Sequence, residues 1–116
     1  MGKKLKISKQ LNSIIIIDGC THSFCKINEI VLIKSEKDYI RIYKPDASCL
    51  VLGTLNRICT ELPSFFVRSH RSYIINIKKI KEIIVLSKSR YLAIMSNNME
   101  IPITRSALLD ITDFFV

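Results

Sequence analysis

Residues 64 to 80 read "SFFVRSHRSYIINIKKI". Phe65 and Phe66 lead into Arg68, Ser69, His70, Arg71 and Ser72, after which the chain turns apolar again at once. No Asp or Glu occurs from Ser64 through Lys81, whereas a merely solvated turn normally mixes the two signs. The cluster falls between a helix stop and a strand, on an exposed edge where guanidinium forks can face a ligand. Arginine can contact guanine O6 and N7 or a phosphate in bidentate fashion, and Ser and His can hold a backbone, so the inventory suits DNA.

The remaining sequence sets the frame for that cluster. With 116 residues the chain is the size of one domain. It is 48% hydrophobic, rich in Ile and only 24% charged, which excludes disorder and favours strands, because β-branched side chains fit a half-buried pleat. The net charge is +8, from 18 Lys and Arg against 10 Asp and Glu, so a polyanion is the natural partner class. Lys3, Lys4, Lys6 and Lys9 stand in the first ten residues, which hold no acid, and the rest of the chain carries +4. Residues 1–12 are therefore read as a basic tail and residues 13–116 as the folded domain.

Several classes are set aside. Apolar runs such as Ile14 to Ile17 are too short to span a bilayer, and no signal peptide follows the lysines, so a cytoplasmic protein without membrane contact is expected. Met1-Gly2 lacks the Ser or Thr that myristoylation needs where Lys6 stands. Cys20, His22 and Cys25 lack the second ligand pair of a structural zinc site, so no metal and no cofactor are expected, and all four cysteines are read as reduced. Ser69, His70 and Ser72 sit too close along an extended chain to converge, and no orienting carboxylate accompanies them, so the chain is not read as an enzyme.

Strands are expected at Ser13 to Asp18, Lys26 to Lys34, Asp38 to Tyr43, Cys49 to Leu52, Tyr73 to Ile77, Ile80 to Leu86, Arg90 to Met95 and Glu100 to Ile103. Thr54 is a plausible N-cap for a helix whose stripe is Leu55, Ile58, Cys59 and Leu62, stopped by Pro63. A second helix begins at Thr104 or Ser106 and carries Ala107, Leu108, Ile111, Phe114 and Phe115. The fold class is mainly β with two short helices, a β-rich α+β chain.

The run Phe65, Phe66, Val67, Arg68, then His70-Arg71-Ser72-Tyr73-Ile74 with Asn76, resembles the signature of the LytTR DNA-binding domain of bacterial LytR/AlgR-type transcription regulators. "INEIVLIKSEKDYIRIY" (27–43), "TLNRICTEL" (54–62) and "EIPITRSALLDI" (100–111) are similar to other parts of that family, in the right order, over residues 24 to 115. The resemblance implies small antiparallel sheets whose loops, rather than a recognition helix, enter the major grooves of duplex DNA. It implies base contacts from Tyr39 and Lys37, from His70 and Arg71, and from Arg105. Backbone contacts are expected from Arg68, Ser72, Lys78, Lys79 and Lys81, with Lys88 and Arg90 as lesser candidates, and Asn76 is assigned to holding the strand-edge backbone. The resemblance further implies response-regulator output function, direct-repeat sites and a homodimer on DNA. No receiver domain fits before the match, so the chain is expected to be a stand-alone regulator or an output domain, its regulatory partner unknown. The other readings of the basic surface are an RNA or general polyanion-binding module, and a protein interaction module.

Overall fold

The alternation of Tyr39, Arg41 and Tyr43 with Ile40 and Ile42 is the pattern on which the architecture is built. In the computed structural model, which describes residues 3–114, strand β5 (Tyr39–Tyr43) buries Ile40 and Ile42 completely and leaves the odd-numbered side chains half-buried. It lies inside a five-stranded antiparallel sheet with β6 (Ser48–Leu52), β4 (Leu32–Glu36), β8 (Tyr73–Asn76) and β7 (Phe66–His70), in the order β6-β5-β4-β8-β7. Adjacent residues of this sheet serve two cores. Ile33, Ile40, Ile42 and Ile74 belong to one, and Leu32 and Ile75 to the other, as successive side chains on a strand must.

Each core is closed by a further layer. The first is covered by a sheet of β1 (Lys4–Ser8), β2 (Ser13–Asp18) and β3 (Thr21–Lys26), through Ile14, Ile16 and Cys25, and by helix α1 (Leu55–Cys59), through Leu55 and Ile58. The second is covered by β9 (Ile80–Ser87), β10 (Arg90–Met95) and β11 (Glu100–Ile103), through Ala93, Met95, Ile101 and Ile103, and by helix α2 (Arg105–Phe114), through Ala107 and Ile111. The result is a three-layer β sandwich with the five-stranded sheet in the middle. Among the described residues, no helix is long and apolar enough to cross a membrane.

The β-rich reading with two helices holds, and four of its details change. Lys4–Ser8 is not a tail: it pairs in full antiparallel register with Ser13–Ile17, and Leu5 and Ile7 pack on the first core. Lys-Leu-Lys-Ile-Ser alternates with period two, but its lysines conceal the signal. The strand expected over Lys26 to Lys34 is divided. Thr21–Lys26 pairs with β2, a 3-10 turn occupies Ile27–Glu29, and β4 begins only at Leu32. Helix α1 is one short piece, capped as expected by Thr54 Oγ1 accepting from the Arg57 N–H at 3.3 Å, and Leu62 packs from beyond its end. Phe66–His70, read as a loop edge, is an edge strand. For the second helix the start is decided: Thr104 Oγ1 accepts from the Ala107 N–H, which leaves Arg105 as the first helical residue. Phe115 and residues 1 and 2 lie outside the described residues.

Candidate nucleic-acid interface

Three connections meet at one end of the central sheet. The first is the β4–β5 hairpin, in which Glu36 pairs with Tyr39 and only Lys37 and Asp38 form the turn. So tight a turn needs a positive φ, normally supplied by Gly or Asn. Here it is Lys37, at φ 59°, the one described residue with positive φ that is neither Asn nor Gly. The conformation costs on the order of 1 kcal/mol for a residue with a Cβ. It holds the Lys37 side chain exposed at the tip, with Tyr39 half-buried beside it. Arg41 braces the hairpin from behind: its Nε donates to Glu36 Oε2 at 2.7 Å and its Nη1 to Ser48 Oγ at 3.3 Å. That bond holds the Glu36 carboxyl below its ordinary value and pairs its charge with the Arg41 guanidinium.

The second connection is the β7–β8 hairpin, which carries His70, Arg71 and Ser72. Arg68 pairs with Ile74 and His70 with Tyr73, so Ser69 is an extra residue, a β-bulge on the edge strand. Its side chain is fully buried and its Oγ, among the described residues, has no hydrogen-bond partner. The guanidinium of Arg68 folds over the turn, donating from Nε to the His70 carbonyl (3.1 Å), from Nη2 to the Arg71 carbonyl (2.6 Å) and from Nη1 to Asn56 Oδ1 of α1 (2.8 Å). Arg71 itself is exposed. His70 Nδ1 accepts from the Ser72 N–H at 3.2 Å, and its ring lies 6.0 Å from that of Tyr73.

The third connection is the step from β11 into α2. The Thr104 N–H donates to the Ser69 carbonyl at 2.8 Å, so the bulge that lifts Ser69 out of the ladder supplies the acceptor that anchors Arg105 next to the β7–β8 hairpin. A corresponding bond joins the first two connections, the Ser35 N–H donating to the Ser72 carbonyl at 2.9 Å. Lys37, Tyr39, His70, Arg71, Ser72 and Arg105 therefore share one end of the molecule.

Other candidates fall elsewhere or take other roles. Lys78 and Lys79 follow the far end of β8, and Lys78 Nζ sits 4.1 Å from the centroid of the Phe65 ring. The structure does not bring them to the three loops. Lys81 Nζ donates to Asn98 Oδ1. Asn76 is buried, with Nδ2 donating to the Ile30 carbonyl and Oδ1 accepting from the Lys78 N–H, which is the backbone role expected of it. Lys88 and Arg90 lie at the tip of the β9–β10 hairpin, on the same end as Arg105, because Tyr91 pairs with Ile103. One cation was passed over in the sequence: Lys34, in register with both Arg41 and Tyr73 at the loop end. Only the pairing of β4 with β8, which local sequence does not carry, places it there.

The order of elements and the cationic loop end invite comparison with known proteins. Residues 22–115 match the family model described as the LytTr DNA-binding domain. The chain belongs to the LytTR family. The sensory transduction protein LytT of Bacillus subtilis is 34% identical over 95 residues, which is 81% of this chain and 36% of that protein. Its namesake in Enterococcus faecalis is 33% identical over 79 residues, 67% of this chain and 33% of the other. The transcriptional regulatory protein LytR of Staphylococcus aureus is 42% identical over 57 residues, 48% of this chain and 23% of that one. The chain thus spans about a third, or less, of the length of these curated relatives. A LytTr DNA-binding domain of a putative methyl-accepting/DNA response regulator from Bacillus cereus superposes with a TM-score of 0.75 at 18% identity, covering 89% of this chain and 95% of that one, which establishes a shared LytTR fold.

Proposed function

We propose that the loop end binds duplex DNA sequence-specifically, as a bacterial transcription regulator or its output domain in the cytoplasm. Arg71 and Arg105 read bases directly, with Lys37, Tyr39 and His70 beside them. What supports this most is the pair of backbone bonds, Ser69 to Thr104 and Ser35 to Ser72, that gather three sequence-distant loops onto one end. Loops on a rigid sheet edge can enter successive grooves with little ordering cost, because the hairpins are already braced.

The roles divide by geometry. Exposed Arg71 and Arg105 are free to fork onto a guanine edge, worth about 1–3 kcal/mol of discrimination each. Arg68, with three of its donors committed to the turn and to α1, is a positioning residue for Arg71. Lys34, Lys88 and Arg90 supply phosphate contacts that add affinity and salt dependence without reading sequence. The domain boundary falls before β1, since Lys4–Ser8 completes the first layer. Direct-repeat sites occupied by two copies fit this reading.

Selection of random duplex DNA by the purified chain tests it. An enriched motif, bound far more tightly than a scrambled duplex, with Arg71→Ala and Arg105→Ala each losing that discrimination, is the expected result. Salt-sensitive binding with no enriched motif would reduce the loop end to a general polyanion surface and overturn the reading.

A further inference from the structure

The two outer layers of the sandwich each turn one face to a core and the other away from it, and both outward faces carry apolar side chains bordered by charges. On the first sheet the outward rows are Lys4, Ile17 and His22, then Lys6, Ile15 and Phe24, with Phe24 61% exposed. On the third sheet they are Ile84, Leu92 and Pro102, then Glu82, Ile94 and Glu100, with Ile84 38% exposed. None of these side chains belongs to either core. Apolar side chains grouped on a face that no core covers suit an interaction site.

The rims differ in sign. Lys4 and Lys6 border the first face and Glu82 and Glu100 the third, and among the described residues none of these four forms an ion pair. Arg90 stands at the loop-end tip of the third sheet, away from the row of acids. We propose that these faces are the two halves of one heterologous interface, through which copies of this chain associate head to tail, the acid-rimmed face of one copy covering the lysine-rimmed face of the next.

Charge favours the mixed pairing. A symmetric contact with its two-fold axis along the strands sets Glu82 and Glu100 of the third sheet against themselves, and one with its axis across the strands sets the lysines of β1 against each other, whereas the two rims complement one another. Nucleic acid is disfavoured on the third sheet by the same carboxylates. Opposed faces of one sheet pair pack like a sandwich interior, with strands nearly aligned. Each face is only three strands wide, at the low end of specific interfaces, below about 1,200 Å² in total, so the association is transient in free solution. The faces lie on opposite sides of the molecule, so every copy keeps one free and the contact does not close on itself. This inference stands apart from the DNA reading, because it uses none of the loop residues.

The test is sedimentation velocity of the full chain over rising concentration at low and high salt. It compares the wild type with Lys4→Glu/Lys6→Glu and with Glu82→Lys/Glu100→Lys, each first checked for an unchanged thermal unfolding midpoint. The expected result is salt-sensitive association by the wild type, weakened about tenfold or more in each variant alone. It is restored when the two variants are mixed, since their reversed faces are complementary. A wild type that stays monomeric throughout, a reversal of one face that leaves association intact, or a mixture that fails to recover it overturns the proposal.

Discussion

The N–H of Thr104 donates to the carbonyl of Ser69 at 2.8 Å, and this bond puts Arg105 and Arg71 at the same end of the molecule. The acceptor is available because Ser69 is a bulge on an edge strand, so its carbonyl is turned out of the ladder toward the start of α2. If both arginines read bases, Arg71→Ala and Arg105→Ala each lose about 1–3 kcal/mol on the preferred duplex and much less on a scrambled one. Titration of fluorescent duplexes at fixed salt measures both quantities.

The buried Ser69 hydroxyl contributes nothing that its backbone does not. Its Oγ has no partner among the described residues, so Ser69→Ala removes an unsatisfied polar atom and keeps the carbonyl that holds Thr104. Stability is expected to stay level or rise by up to about 1 kcal/mol, with DNA affinity unchanged. Denaturant unfolding in parallel with a binding assay separates the two readouts.

Lys37 presents the opposite bargain. Its φ of 59° favours Gly, so Lys37→Gly is expected to raise stability by about 0.5–1 kcal/mol while removing a cation from the loop end. A chain that is more stable yet binds DNA less well is the predicted signature. A loss of both would mean that the lysine side chain supports the turn.

Arg68 acts through geometry. Arg68→Lys keeps the charge but cannot donate in three directions at once, so the His70 and Arg71 carbonyls and Asn56 lose their common partner. Discrimination between preferred and scrambled DNA falls in this variant, whereas a phosphate-contacting arginine replaced by lysine would retain most of it. Affinity ratios at matched salt decide between the two.

Arg41 holds the Glu36 carboxyl below its ordinary value of 4.5, chiefly through the hydrogen bond between them. A carboxyl lowered in the folded chain stabilises fully above 4.5 and loses that contribution as pH falls through its lower folded value. Both side chains are about one-third exposed, so the effect is small and screened by salt. The stability gap between wild type and Glu36→Gln is expected to be present at neutral pH and to close as pH drops below 4.5, as thermal unfolding across that range shows.

Much of this architecture is legible in the linear chain. Alternation in Tyr39–Tyr43, the Thr54 cap and the apolar rows of β10 and β11 announce their elements locally, and the residues of the three loops carry a family signature. What escapes is what depends on pairing. Thr21–Lys26 has only two apolar residues, Phe24 and Cys25, side by side rather than alternating, and only Cys25 is buried, so nothing local marks it as a strand until β2 lies beside it. Lys4–Ser8 does alternate, but a run of lysines reads as a tail unless its partner is known. Arg68 looks like a free cation in sequence and becomes a brace only when the hairpin and α1 close around it. The Ser69 bulge, on which the placement of Arg105 depends, is a property of register and has no residue type of its own.

The most direct test of the central claim is an amide NMR titration of the chain with its selected duplex. Perturbations concentrated at residues 37–39, 70–72 and 104–105, appearing together and saturating at one stoichiometry, are predicted. Perturbations centred on Lys78 and Lys79, with the three loops unmoved, would contradict the account and place the nucleic acid at the other end of β8.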